Sequence, residues 1–130
     1  MSKGGTRMIY LTDNLSFALS LTGGLPLMTN FSVDVSQVKD LLKHEYRSCV
    51  IRKFSAKKLT ELLGCDIPMY QKDLFRIKEG DTIIYFYAEI WFRDDEVLSK
   101  EEIRQLLFKF SGIKIEDVVG IKEDEVKYYH

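Results

Sequence analysis

The chain has 130 residues, enough for one domain with its own core. It is 45% hydrophobic and 30% charged, with 19 basic and 20 acidic side chains and a net charge of −1, the balance of an ordinary globular domain. That near-neutrality excludes a global electrostatic pull on duplex nucleic acid, which needs a basic excess, and leaves only a local basic patch.

Residues 1–6 read as disordered, and "RMIYL" (Arg7 to Leu11) predicts a first strand. "TDNLSFALSLTGG" has loop or one-turn-helix character and is broken by Gly23-Gly24. "LPLMTNF" predicts a second strand. Asp34 with Gln37 three residues on signals a helix start, and "VSQVKDLLKHE" puts Val35, Val38, Leu41 and Leu42 on one face. "YRSCVI" predicts a strand. A helix over Ser55 to Leu63 follows, with Leu59, Leu62 and Leu63 as its buried stripe and Gly64 closing it. "LFRI" predicts a short strand, and "KEGD" a turn that uses Gly80. "TIIYFYAEIWF" is a long strand, apolar on both faces and therefore central. Ser99 and Glu102 form a capping box before a helix bearing Ile103, Leu106, Leu107 and Phe110. The tail from residue 111 to residue 130 fits a strand or a helix equally well. The sum is a single α/β domain spanning 1–130, a mixed sheet of about five strands flanked by about three helices.

The chemistry-bearing residues are few. Walker, Rossmann and nucleophile-elbow motifs are absent, as is a metal-binding His pair. The sequence gives no reason to expect a cofactor or a metal: Cys49, Cys65, His44 and His130 have no zinc-ligand spacing. The cysteines read as buried free thiols, with pairing as the alternative. No apolar run approaches the ~18 residues of a membrane span, and "MSKGGTR" lacks the apolar core of a signal peptide, so a cytosolic chain without membrane contact is expected. His44 is a candidate general acid because imidazole titrates near neutrality; a charge balancing a helix C-terminus is the favoured reading. "RDDE" (Arg93 to Glu96) reads as a solvated turn rather than a metal site. Trp91 could stack on a base, though burial or a dimer interface is favoured. The most pointed feature is the approach to the second helix. Arg52, Lys53 and Ser55 lie where unpaired backbone N–H groups and two cations can hold a phosphate. A basic, water-exposed turn extended by Lys57 and Lys58 explains them as well.

The order of five segments resembles a family of small proteins of archaeal viruses and other mobile elements: "IYLTDNLSFAL", "VSQVKDLLK", "FSAKKLTELLGCDIP", "KEGDTIIYF" and "EVLSKEEI". The family's active members are viral ring nucleases, which cleave cyclic tetra-adenylate, the second messenger of type III CRISPR defence, and so act as anti-CRISPRs. The likeness covers about Ile9 to Ile103. It implies a mixed sheet flanked by helices, and a homodimer whose two copies form one ligand cleft, since a two-fold ring suits a two-fold site. It also implies the cytoplasm of the infected host. Carried over by position, the family's catalytic His falls on Arg52 and the Gly before it on Ile51. Its Thr falls on Ser55, and its Asn-Arg pair on Tyr70-Gln71. Its Arg and Glu fall on Trp91 and Asp94, and its N-terminal Asn and Ser on Asp13 and Ser16.

That His protonates the departing ribose oxygen when the 2′-hydroxyl attacks the neighbouring phosphate. General-acid help of this kind is worth roughly 10² to 10⁴ in rate. Arginine, with a pKa above about 12, holds its proton at neutral pH and binds phosphate instead. The expectation is therefore a ring-nuclease-like protein without efficient cleavage, which binds a nucleotide or a component of host defence. Three rivals stand beside it: cleavage with a relocated acid such as His44, plain DNA or RNA binding through Arg52, Lys53, Lys57 and Lys58, and a protein-interaction module.

Overall fold

In the computed structural model of the chain, the described residues are 7–72, 75–88 and 108–120. They form β1 (Ile9–Thr12), α1 (Leu15–Ser20), β2 (Leu25–Val33), α2 (Val35–Leu41), β3 (Tyr46–Cys49), α3 (Lys53–Leu63), β4 (Thr82–Ala88) and β5 (Phe108–Val119). The five strands make one mixed sheet in the order β2-β5-β4-β1-β3. β1 runs parallel to both β3 and β4, whereas β5 is antiparallel to both β4 and β2. The single mixed α/β domain predicted from the sequence is therefore the architecture observed.

The strand reading of "TIIYFYA" holds, and so does its central position, because alternate residues feed two cores. Ile84 and Phe86 join Leu11, Val38, Val50, Leu59, Leu63 and Phe110 under α2 and α3. Ile83 joins Tyr10, Ala18, Cys49, Ile77, Ile113 and Ile115 on the α1 face. A strand buried on both sides carries a continuous apolar run for this reason.

The helix signals act as read. Asp34 accepts the Gln37 N–H at 2.8 Å and the Gln37 side chain accepts the Asp34 N–H at 2.8 Å, closing the capping box of α2. α3 ends at Gly64, whose φ of 71° lies in the left-handed region that glycine enters without steric cost. α3 begins two residues before the expected Ser55, at Lys53. The "LSFALS" segment is a true six-residue helix, capped by the Asn14 side chain accepting the Phe17 N–H at 3.0 Å.

Three expectations change. Phe75 to Ile77 is a packed loop, not a strand: Phe75 stacks on Tyr10 at 5.4 Å, and Ile77 donates its N–H to the Leu21 carbonyl at 3.0 Å. Phe110, expected on a helix, lies in β5 opposite Phe86 and Val33. Cys65 is exposed, while Cys49 is buried, and both are free. The tail alternatives resolve to a strand as far as Val119. The capping box at Ser99 and the residues Ile103, Leu106 and Leu107 lie outside the described residues.

The two edges of the sheet differ. Along β3, the segment 65–72 lies against the outer edge: Tyr70 donates its N–H to the Val50 carbonyl at 2.8 Å, and the Ser48 hydroxyl donates to the Pro68 carbonyl. Along β2, no described strand pairs with the outer side. Leu25, Leu27, Met28 and Phe31 are exposed there, Leu25 by 73%.

Candidate functional site

The three parallel strands point their carboxyl ends the same way. The connection leaving β1 runs through α1 on one face of the sheet and the one leaving the adjacent β3 runs through α3 on the other, so connections part to opposite faces at the β1/β3 boundary. A boundary of that kind leaves a crevice beyond the strand ends, which is where open α/β sheets take ligands. A hollow of about 290 Å³ lies there. Asp13 leads into it from β1. Arg52, Phe54 and Ser55 enter from the turn after β3 and the first turn of α3, and Tyr85, Phe86 and Tyr87 from β4.

Asp13 is 7% exposed. Its Oδ1 accepts the Ile51 N–H at 3.0 Å and its Oδ2 accepts the Arg52 N–H at 3.1 Å. Beside it the Thr12 hydroxyl donates to the Cys49 carbonyl at 3.1 Å. These bonds tie the end of β1 to the turn that opens α3. Arg52 is at the N-cap position, in extended backbone (φ −111°, ψ 133°); its side chain has no acceptor with which to cap the helix, and it lines the crevice. The helical ladder begins with Ala56 donating to the Arg52 carbonyl at 3.1 Å. The N–H groups of Lys53, Phe54 and Ser55 precede that ladder, and the positive end of the helix dipole lies among them. The Ser55 hydroxyl is 6% exposed, lines the crevice and makes no hydrogen bond with a described residue. Polar side chains buried to that degree ordinarily have a partner. Tyr85 and Tyr87 stack at 5.3 Å and 25°, giving the facing wall an aromatic surface.

Of the residues expected at a site, the fold gathers Arg52 and Ser55. Lys53 is exposed at the first position of α3, outside the lining of the crevice. Ser16 is exposed on α1 and does not line the crevice either. Gln71 donates to the Met69 carbonyl at 3.3 Å and lines a different groove of about 180 Å³, with Tyr70, Phe75 and Arg47. There the Arg47 guanidinium lies 4.9 Å from the centre of the Phe75 ring. His44 is exposed just before β3, at the end of the sheet opposite the crevice. β3 and its flanks separate His44 from Arg52 by roughly 20 Å of extended chain. Trp91 and Asp94 lie outside the described residues.

Tyr85, Tyr87 and Phe54 line the crevice without any motif that marks them, and Asp13, which the resemblance aligns with an Asn, joins them there. The available signal was an acidic residue directly after a parallel strand, the place where α/β folds put polar site residues.

A larger hollow of about 590 Å³ lies between the ends of β2 and β5. Its carboxylate, Asp34, is committed to the α2 cap, so the smaller crevice is the better-equipped site. Among the described residues no three His, Cys, Asp or Glu side chains come together as a metal site, and no helix is long and apolar enough to cross a membrane.

Fold and site together define a small α/β domain with a polar-aromatic crevice at the carboxyl ends of its parallel strands. The particular likeness is structural: the chain is similar to B116 of Sulfolobus turreted icosahedral virus (STIV), with a TM-score of 0.58 and 17% sequence identity over 82% of this chain and 98% of that one. At that identity the match shows a shared fold, found in a small protein of an archaeal virus. No protein-family model matches the sequence, and no curated protein matches it.

Proposed function

We propose that this protein is an accessory protein of an archaeal virus, related to the anti-CRISPR ring nucleases, which acts in the host cytoplasm as a homodimer. It binds a nucleotide such as a cyclic oligoadenylate in the crevice and does not cleave it efficiently. The carrying observation is the buried Ser55 hydroxyl at the first turn of α3, which has no partner among the described residues, beside Arg52 at the N-cap position. A hydroxyl, a guanidinium and free helix N–H groups form a phosphate site, and two tyrosine rings opposite them suit a base. The shared fold with a viral protein supports the viral origin.

Weak cleavage follows from the groups present. The crevice's described lining holds one carboxylate, already bonded to two backbone N–H groups, and no imidazole. His44, the candidate for a relocated acid, stands at the far end of the sheet. The pairing of two copies is supported by β2, which exposes four large apolar side chains and carries no charge. A second reading, contact with a nucleic-acid backbone, is favoured by the exposed side chains of Arg52, Lys53 and Lys57 around the start of α3.

Equilibrium binding of labelled cyclic tetra-adenylate, followed by separation of any products, tests the proposal. Saturable binding is expected, weakened at least about tenfold by Arg52→Ala through loss of a charge-assisted phosphate contact, with no product above the buffer rate. Absence of binding, or turnover that His44→Ala abolishes, overturns it. Binding to any single strand that weakens steeply with salt favours the second reading instead.

A further inference from the structure

We propose that Asp13 sets the specificity of the crevice by acting as a built-in anion: its carboxylate fills the Ile51 and Arg52 N–H pair and so excludes a ligand phosphate from the inner end. The inference rests on the nucleotide reading of the crevice and adds where in it a phosphate can sit.

Two consecutive N–H groups leading into a helix are the usual cradle for an anionic oxygen. In this chain both are taken, one by each carboxylate oxygen, at 3.0 and 3.1 Å. The group that takes them is 7% exposed, and it lines the crevice rather than the solvent surface. A phosphate arriving at that end meets a fixed negative charge in place of two free donors. A few ångströms further along α3 the situation reverses. The N–H groups of Lys53 to Ser55 precede the helical ladder, the Ser55 hydroxyl lacks a partner among the described residues, and the Arg52 side chain is uncommitted. The phosphate is therefore directed to the outer, Arg52–Ser55 position, and the uncharged part of the ligand is turned toward Asp13.

An anion site filled in advance has a measurable signature. A negative charge near a bound phosphate weakens the binding of the charged ligand and leaves a neutral one of the same shape unaffected. At the separations available inside so small a crevice the difference is about tenfold. Asp13→Asn removes the charge and keeps the size of the side chain, although one of its two N–H contacts is lost. A loosened turn lowers the affinity for every ligand, so the ratio of two affinities is the informative quantity.

Calorimetric or fluorescence titration of adenosine and of adenosine 5′-monophosphate, with the wild-type chain and with Asp13→Asn, supplies that ratio. The monophosphate-to-adenosine affinity ratio is expected to rise about tenfold in Asp13→Asn, whatever happens to the individual constants. Binding with an unchanged or lowered ratio overturns the role of Asp13 and leaves the nucleotide reading standing. Failure of both ligands to bind the wild-type chain overturns the two together. If Asp13→Asn does not fold, the wild-type chain still decides: it is expected to bind the monophosphate no more than a few-fold better than adenosine, and a preference of a hundredfold or more refutes a built-in anion.

Discussion

Arg52 stands where the family resemblance would carry a titratable imidazole, and it lines the crevice. The residue occupies the N-cap position of α3 in extended backbone and contributes a permanent cation to the crevice. It can hold a phosphate oxygen but has no proton to give at neutral pH. On the proposed reading the site lacks a general acid while its binding groups remain. Arg52→His is therefore expected to create measurable cleavage of cyclic tetra-adenylate, up to roughly 10² above the wild-type rate, with activity falling as the introduced imidazole deprotonates. Product analysis over a pH series checks this, and a variant that binds without any product shows that more than the acid is missing. Arg52 and Ser55 were legible as a pair because a strand end, two cations and a helix start lie in one short stretch. Asp13 was not: only the fold reveals that a residue 38 positions before Ile51 accepts its N–H.

At the scale of elements, local signals succeeded where one element satisfies itself and failed where a distant partner decides. The α2 capping box and the Gly64 terminus are local hydrogen-bond solutions, and both were readable. Phe110 sits in a stretch with helical spacing, yet pairing with Phe86 and Val33 places it in β5. Cross-strand partners of this kind override propensity. Phe75 to Ile77 has strand composition and still forms a loop, because its apolar side chains are claimed by Tyr10 and the α1 core. Gly112 shows the same dependence on a partner: a Cβ there would lie 2.2 Å from the ring of Phe31, so the absent side chain is what lets the ring lie over the strand.

β2 carries the prediction proper to this scale. Edge strands of soluble domains are usually blunted by charge, proline or cover, and β3 is covered in this way. β2, "LPLMTNFSV", is blunted only by Pro26 and a register shift between Leu27 and Met28; its nine residues carry no charge, and Leu25, Leu27, Met28 and Phe31 are exposed. Leu27→Lys, or Leu25→Lys with Leu27→Lys, is expected to convert a dimer to a monomer in sedimentation equilibrium without changing the far-ultraviolet circular dichroism. A wild-type chain that is monomeric at tens of micromolar defeats the homodimer.

For the whole molecule, two buried groups of the α1-face core titrate only in alkali. Burial pushes the Cys49 thiol up to about 12 and the Tyr10 phenol up to about 12, both above their ordinary values; Asp81 adds to the second shift and Arg47 opposes both. Each group is neutral when protonated, so the folded state binds its proton more tightly than the unfolded chain does. The resulting stabilisation is complete below the unfolded values and is lost as pH rises toward the folded ones. Thermal midpoints are expected to be flat with respect to these two groups up to about pH 8 and to fall between about pH 9 and pH 12. The fall should be shallower in Cys49→Ala. An identical alkaline slope in that variant removes Cys49 from the explanation.

Local patterning was enough to read the class of the domain, the capped and glycine-terminated helices, the central strand and the basic approach to α3. Each of these is written in spacing or in contacts between near neighbours. Long-range pairing made Phe110 part of a strand and left Phe75 to Ile77 as a loop, whereas the strand between His44 and Arg52 already separated those two in the sequence. Tertiary structure alone brought Asp13, Ser55 and two tyrosines of β4 around one crevice. The physical reason is common to the long-range outcomes: strand order and the covering of each sheet face are set by pairings across tens of residues, and no local pattern encodes which segments will meet.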